Sequence, residues 1–287
     1  MQFPSISIIK SLNIKPSKAL GQNFLIDQHI AGKIIAACKV SAADTVIEIG
    51  AGLGALTALL AEKAQQVIAI EVDKNLTAVL QRFCAADTAI TIVNDTVLNI
   101  DPRDFIQPPK KAVFVGNIPY AITTPLFLKI AETSGLIKRG VFMLQKEVRQ
   151  RLCAAPGCRN YGILSICVQR YFKISNLFDV PATCFFPRPR IDSTVILLEP
   201  LPERDGDSPG ENLFREIVTA SLSHRRKTLF NCLKAYAADR KIDEAVLKSR
   251  LLESGIDCSR RGETLSLAEF EQLAAVVAHL SQGSDQR

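Results

Sequence analysis

The sequence predicts an α/β protein, a doubly wound sheet of seven strands followed by a small helical domain. Three observations predict it. From Thr45 to Val115 short β-branched runs alternate with longer helical patterns, the signature of strand–helix–strand units in a mainly parallel sheet. Pro200–Asn212 (PLPERDGDSPGEN) concentrates Pro, Gly and acidic residues, as a linker or exposed loop does. Beyond it the apolar spacing is helical throughout.

In chain order, Thr45–Gly50, Val67–Glu71, Ala89–Val93 and Ala112–Gly116 read as buried strands, because strands covered on both faces are continuously apolar rather than alternating. Leu53–Lys63 and Lys74–Phe83 are the helices between the first three strands. Gly140–Leu144, Tyr171–Phe178 and Ser193–Leu198 supply three more strands. After the linker, Glu244–Glu253 is a helix closed by Gly255, a residue suited to the left-handed cap. Ser266–Leu280 opens with Ser266 and Glu269 at capping-box spacing and repeats apolar residues from Leu267 to Leu280.

Composition narrows the function classes. Apolar residues make up 47% of the 287 and charged residues 22%, which excludes a largely disordered chain. No apolar run approaches the ~20 residues that span a bilayer. The opening MQFPSISIIKSLNIKPSK is interrupted by Pro4, Lys10 and Lys15 and carries no readable secretory signal, so a soluble, cytoplasmic protein is expected. The eight cysteines fall singly, without a CxxC pair, and are expected to be buried reduced thiols with no metal site. The net charge of +6 points to a polyanionic partner only where the charge is clustered.

Gly50-Ala51-Gly52-Leu53-Gly54-Ala55 follows the first strand. A sharp strand-to-helix turn whose backbone must touch a ligand excludes side chains at such positions. Glu71 ends the second strand about 20 residues later, where a carboxylate accepts ribose hydroxyls. The pair indicates an adenosine-containing ligand, and on its own also satisfies the loose dinucleotide fingerprint. Asn94-Asp95 at the end of the third strand and Asn117-Ile118-Pro119-Tyr120 at the end of the fourth separate the two readings. A nicotinamide oxidoreductase has no use for them. All these residues converge beyond the carboxyl ends of the strands, where open α/β sheets bind ligands.

The NIPY tetrapeptide suits the alkylation of an aromatic amine. Such an amine is a poor nucleophile because its lone pair is delocalised into the ring. The Asn117 side-chain oxygen and the Pro119 carbonyl each accept one N–H and draw the nitrogen toward tetrahedral geometry, while Tyr120 stacks on the base. Catalysis then rests on positioning, and none of His29, His224 and His279 is needed as a base.

NIPY is accompanied by Gly21-Gln22-Asn23-Phe24-Leu25, EIGAGLGALT at 48–57, QKEV at 145–148, Tyr161-Gly162, FFPRPRIDS at 185–193 and SHRRKTLFNCLK at 223–234. In this ordered set, roughly Lys15 to Lys234, the chain resembles the ribosomal RNA adenine dimethylases, and within them the bacterial enzymes that dimethylate two adjacent adenosines near the 3′ end of small-subunit (16S) rRNA. The resemblance implies a seven-stranded Rossmann-like, S-adenosylmethionine-dependent methyltransferase domain with a small C-terminal helical domain. The divisions it implies are a basic extension at 1–20, the methyltransferase domain at 21–200, a linker at 201–212 and a helical RNA-binding domain at 213–287. It also implies that Gln22, Asn23, Leu25, Gly50, Gly52, Glu71, Asp95 and Asn117 hold the cofactor. Asn117, Pro119, Tyr120 and Phe185 serve catalysis, Phe185 packing a flipped adenine opposite Tyr120, since N6 is out of reach within a stack.

Arg188 and Arg190 flank prolines near the expected pocket mouth, and Arg225-Arg226-Lys227 is expected on a helical stretch with Lys234. Clustered cations of this kind contact phosphates irrespective of sequence. The partner implied is small-subunit rRNA within an assembling 30S-type subunit, met by a monomer away from any membrane. Two positions depart from the family pattern: Ala121 stands where Asn is usual after the tetrapeptide, and Ile163 where Arg is frequent after Tyr161-Gly162. A large-subunit methylase of the antibiotic-resistance type shares NIPY-like chemistry, but the 223–234 stretch argues against it. A non-catalytic RNA-binding factor would not keep both GQNFL and NIPY.

Overall fold

The computed structural model describes residues 3–202 and 210–284; the side chains of Tyr120 and of 282–284 lie outside that description. Residues 203–209 of the expected linker are likewise outside the described residues. The chain divides into two compact units, Met1–Arg149 with Phe172–Arg204, and Gln150–Tyr171 with Asp205–Arg287.

Helix α1 (Ile6–Ser11) begins at Ser5, whose hydroxyl accepts from Ile8 N, and its Ile9 is buried with Phe24, Leu53 and Leu76. The short strand β1 (Phe24–Leu25) leads into α2 (Gln28–Cys38), capped by Asp27 through Ile30 N at 3.0 Å. Ile30, Ile34 and Cys38 form the buried stripe of α2, at the spacing of one helix face. Next come β2 (Thr45–Ile49), α3 (Thr57–Ala61), β3 (Gln66–Ile70), α4 (Lys74–Cys84), β4 (Ile90–Val93), β5 (Ala112–Asn117), α5 (Thr123–Glu132) and β6 (Ile137–Gln145). Helices α6 (Lys146–Leu152) and α7 (Ile163–Gln169) precede β7 (Phe172–Val180), β8 (Phe185–Phe186) and β9 (Ser193–Pro200).

The main sheet has seven strands in the order β4-β3-β2-β5-β6-β9-β7. The first five run parallel, and β9 runs against both its neighbours. The chain winds outward from β2 to β4 and then returns to β5 on the other side of β2. That reversal opens a crevice at the carboxyl ends of β2 and β5. A second, two-stranded sheet pairs β1 with β8, Phe24 opposite Phe186 and Leu25 opposite Phe185. Strand periodicity did not foresee it.

Two expectations are corrected in this unit and its neighbour. The helix expected over Leu53–Lys63 is regular only from Thr57 to Ala61, because Gly50, Gly52 and Gly54 all adopt positive φ (72°, 58° and 79°) and prolong the turn. Six of the eight cysteines are buried, but Cys153 and Cys158 are exposed; they sit in the irregular stretch between α6 and α7.

The second unit holds α7 with α8 (Glu211–Ser221), α9 (Leu229–Asp239), α10 (Glu244–Glu253) and α11 (Leu267–Ser284). Gln150–Tyr171, which its pattern gave no reason to part from 21–200, joins it through Tyr161 Oη to Leu265 O (3.0 Å) and Gly157 N to Glu263 O (2.8 Å). The reciprocal cap of α11 is present, Ser266 N donating to Glu269 Oε2 (2.7 Å) and Glu269 N to Ser266 Oγ (3.2 Å). Arg225, Arg226 and Lys227, expected on a helix, lie instead in the turn between α8 and α9. Thr228 caps α9, and Leu229 N and Phe230 N donate to Arg260 O (2.7 Å) and Cys258 O (3.2 Å). A helix running through the turn would need those two N–H groups for the carbonyls of Arg225 and Arg226.

Gly116 marks the tightest approach beside the crevice. A Cβ there would overlap the Ile49 carbonyl oxygen and stand 3.0 Å from Ile118 Cδ1, so β2 and β5 would have to separate. Gly116→Ala is expected to cost about 1–3 kcal/mol of stability, seen as a lower denaturation midpoint; an unchanged midpoint would contradict the packing described.

Candidate active site

The carboxyl ends of β2, β3 and β5, with the loop after β4, open on a cavity of about 380 Å³. Its floor is the glycine turn. Gly50 N and Ala51 N both donate to Ile70 O, at 2.9 and 3.1 Å, which ties the turn to the end of β3. A Cβ at Gly50 would reach within 3.4 Å of Asn117 O, filling space between the turn and the end of β5.

Glu71, just beyond β3, is 5% exposed. Its Oε2 accepts from Gly52 N at 2.8 Å and its Oε1 from Asp73 N at 2.9 Å. Burial raises its pKa, and the two N–H donations oppose the rise. Each oxygen keeps a further lone pair, so the carboxylate is aimed and still able to accept two hydroxyls. Asn94 braces this corner: its Nδ2 lies 2.9 Å from Glu71 O, 3.0 Å from Thr77 Oγ1 and 3.3 Å from Val72 O. Asp95 is exposed, lines the cavity, and accepts on Oδ1 from Thr96 N (2.6 Å) and Asn99 Nδ2 (2.9 Å). Those bonds leave Oδ2 to an incoming donor.

Asn117 ends β5, and its Nδ2 donates to Asn23 O at 2.9 Å. Because a carbonyl accepts only from the NH₂ end of the amide, that bond fixes which way the amide lies and leaves Oδ1 as the acceptor. Pro119 O receives two long bonds, from Ile122 N and Thr123 Oγ1, both at 3.4 Å. Tyr120 opens a short 3-10 turn, and its side chain lies outside the described residues. Phe185, 4% exposed, packs with Leu25 in the core and contributes to the cavity wall.

The N-terminal segment closes one side. Leu25 and Asn23 line the cavity, and Asn23 Nδ2 donates to Gly21 O at 3.0 Å. Gln22 lines it too, but both ends of its amide are engaged by protein: Oε1 accepts from Ser17 N (2.7 Å) and Nε2 donates to Asp73 Oδ2 (2.8 Å).

The geometry thus brings Gln22, Asn23, Leu25, Gly50, Gly52, Glu71, Asp95, Asn117, Pro119 and Phe185 to one cavity. The expected RNA contacts are not part of its lining. Arg188 and Arg190 are exposed on the loop after β8. In the second unit Arg226 and Lys227 are exposed, while Arg225 is paired with Glu263 at 2.9 Å and donates to Arg159 O at 3.0 Å.

Among the cavity residues that sequence reasoning missed, three bear on its chemistry. Val72 and Val97 flank Glu71 and Asp95 with apolar surface. Glu48, inside β2, is 2% exposed and accepts from Thr57 Oγ1 at 2.6 Å; burial pushes its carboxyl up to about 8. A carboxylate within the apolar run TVIEI was the signal available.

Residues 13–273 match the profile of a family described as ribosomal RNA adenine dimethylase. A protein of Alkaliphilus oremlandii named Ribosomal RNA small subunit methyltransferase A is 40% identical over 274 residues, covering 94% of this chain and 95% of its own. One of the same name from Geobacter sulfurreducens is 41% identical over 264 residues, covering 91% and 94%. Among solved structures, a dimethyladenosine transferase from Plasmodium falciparum superposes with a TM-score of 0.71 at 26% identity, over 86% of this chain and 94% of that one. A 23S rRNA methyltransferase shares the fold, with a TM-score of 0.63 at 22% identity over 89% and 100%.

The buried Glu48 has a consequence for pH. The folded protein retains a proton that the unfolded chain releases near the ordinary value of 4.5, so this group's contribution to stability is complete below 4.5 and is lost as pH rises to about 8. Glu48→Gln has no such proton to lose. Urea titrations at several pH values are expected to show the variant gaining on the unchanged protein across that window. Parallel curves would mean that Glu48 is ionised in the fold.

Proposed function

The chain belongs to the ribosomal RNA adenine dimethylase family and is a methyltransferase, and from that premise we propose that it uses S-adenosylmethionine to dimethylate N6 of two adjacent adenosines near the 3′ end of small-subunit (16S) rRNA, late in small-subunit biogenesis. The observation that carries the reading is the Asn117 amide, held by Asn23 O so that Oδ1 is left to accept.

The residues present fit the cofactor. Gly50 leaves a cradle that a Cβ would fill, Glu71 is aimed and half-satisfied, and Asp95 keeps Oδ2 for an adenine amino group. Val72 and Val97 offer apolar faces to the same ring. Asn23 and Leu25 contact the cofactor from the N-terminal segment, and Gly50 lies against its methionine end. When bound, the cofactor supplies an electrophilic methyl group on a sulfonium. The chain's own task is to present the nucleophile. Asn117 Oδ1 accepts one N–H of the target amine. Pro119 O accepts the other, in exchange for one of its two long 3.4 Å internal bonds. Together they turn the amine's lone pair out of conjugation and toward the methyl donor. Orientation of this kind removes much of a bimolecular barrier, and oriented dipoles stabilise the charge that develops on nitrogen. The flipped adenine packs between Tyr120 and Phe185, and the proton released after transfer passes to solvent. In the second pass the monomethyl amine has one N–H left and bonds only one of the two acceptors. Transfer followed by loss of that last proton gives the dimethyl product.

Arg188, Arg190, Arg226 and Lys227 are the exposed cations offered to rRNA phosphates, the protein acting as a monomer in the cytoplasm on the assembling subunit. Among the described residues no helix is long and apolar enough to cross a membrane.

Undermethylated small subunits incubated with labelled S-adenosylmethionine test the reading: label is expected in dimethyladenosine at the two adjacent positions, and label absent there overturns it. Asn117→Ala is expected to lower transfer by about 100- to 1000-fold, with a smaller change in cofactor affinity by calorimetry. Neutralising Arg226 and Lys227 together is expected to flatten the salt dependence of RNA binding by up to ~0.9 log unit for each phosphate left without its cation. Arg225→Ala, which breaks an internal pair, is expected to change that slope less.

A further inference from the structure

Gln22 is tied at both ends, and the two ties join parts of the cavity that are far apart in sequence. Ser17 N and Ser17 O are both bonded to Gln22, to its Oε1 at 2.7 Å and its backbone N at 3.1 Å, so Ser17–Gln22 is a riveted loop. The remaining NH₂ group donates to Asp73 Oδ2 at 2.8 Å. Asp73 is itself a hub: its Oδ1 caps α4 through Asn75 N (2.9 Å), and its N–H orients Glu71 Oε1 (2.9 Å). One residue beyond Gln22, the Asn23 carbonyl holds Asn117 Nδ2. Both ends of the Gln22 side chain have protein partners, so its position is set by the loop and by Asp73.

We propose that Gln22 is a positioning residue for methyl transfer, a latch that holds the Ser17–Leu25 segment against Asp73 so that Asn23 O keeps the Asn117 amide with Oδ1 toward the target amine. The inference rests on the methyltransferase reading of Asn117 given above. It makes the two halves of the site interdependent. The carboxylate that receives the ribose is oriented by the same aspartate that secures the segment over the methyl donor. A loosened latch leaves every group that touches cofactor or substrate chemically intact and lets the amide of Asn117 turn, a misplacement that acts on turnover.

The test exchanges the two polar ends of one bond. Gln22→Glu keeps an oxygen for Ser17 N but sets a carboxylate against that of Asp73. Gln22→Glu combined with Asp73→Asn restores a donor and an acceptor with their roles reversed, and keeps an oxygen to cap α4. In the single variant, kcat at saturating S-adenosylmethionine is expected to fall between about tenfold and 100-fold, and amide hydrogen exchange over 17–25 is expected to accelerate. In the double variant both are expected to recover, kcat to within about threefold, as contacting pairs do when their coupling is restored. Thermal midpoints of all three proteins report folding, and Gln22→Ala serves as the comparison if the single variant folds poorly. An unchanged kcat in Gln22→Glu overturns the proposal. So does a double variant no better than the single one, because the bond itself would then be irrelevant. If the unchanged protein transfers no methyl group to small subunits, the proposed function has failed instead. The exchange data still decide the latch in that case: equal exchange in all three proteins overturns it.

Discussion

Glu71 receives backbone N–H groups on both oxygens, from the glycine turn on one side and from the first residue capping α4 on the other. Much of the cavity depends on that carboxylate. It stands at the end of a buried strand, itself 5% exposed. Removing it would strand two donors at about 1–3 kcal/mol each, and would release the glycine turn from β3 except for the Ile70 carbonyl. The arrangement explains why the turn needs three residues of positive φ: a helix starting directly after β2 would carry Gly52 N into its own first turn and away from Glu71. Geometry that looks like ligand binding is therefore also what shapes the end of the sheet.

Much of this was legible in the sequence, for reasons that differ by element. The parallel strands were visible because burial on both faces makes them continuous apolar runs, and the site residues because they punctuate the ends of those runs. Glu71 and Asn117 each follow directly on an apolar stretch, and Asp95 comes one residue after another such stretch. What was not legible depends on partners distant in the chain. Strands β1 and β8 have two residues each, too few to show a period. The Gln22–Asp73 bond joins residues whose local contexts give no hint of each other. Arg225 to Lys227 have helix-forming side chains, and only the capture of two N–H groups by the carbonyls of Cys258 and Arg260 breaks the helix there. Glu48 was overlooked because a strand reading attends to the apolar majority.

The helical unit shows how poorly composition translates into a basic surface. Arg170 is held by Glu211 and stacks on Phe214, its guanidinium 3.8 Å from the ring centroid. Arg225, Arg240 and Arg260 pair with Glu263, Glu216 and Glu269, and Lys234 with Glu244. These cations join helices and turns to one another. The Arg170 and Arg260 pairs are partly buried and costly to break from one side, so alanine there reads out packing as well as charge. The more exposed pairs of Arg225, Arg240 and Lys234 are worth little. The unpaired positive charge of this unit is carried by fewer residues than the count of Lys and Arg implies.

The pairing of β1 with β8 also sets an order of events during synthesis. Phe24 and Leu25 leave the ribosome early, but their partners Phe186 and Phe185 follow only after most of the sheet. At about 5–20 residues per second the wait is roughly ten to thirty seconds. Through that interval the Ser17–Leu25 segment has no strand to join, while β2 to β5 acquire their partners as the chain is made. The cavity therefore acquires its last wall late, by a pairing of high sequence separation, the kind whose loop-closure entropy makes it slow to form. A nascent chain stalled before Phe185 would carry a sheet with the glycine turn in place and no closed site.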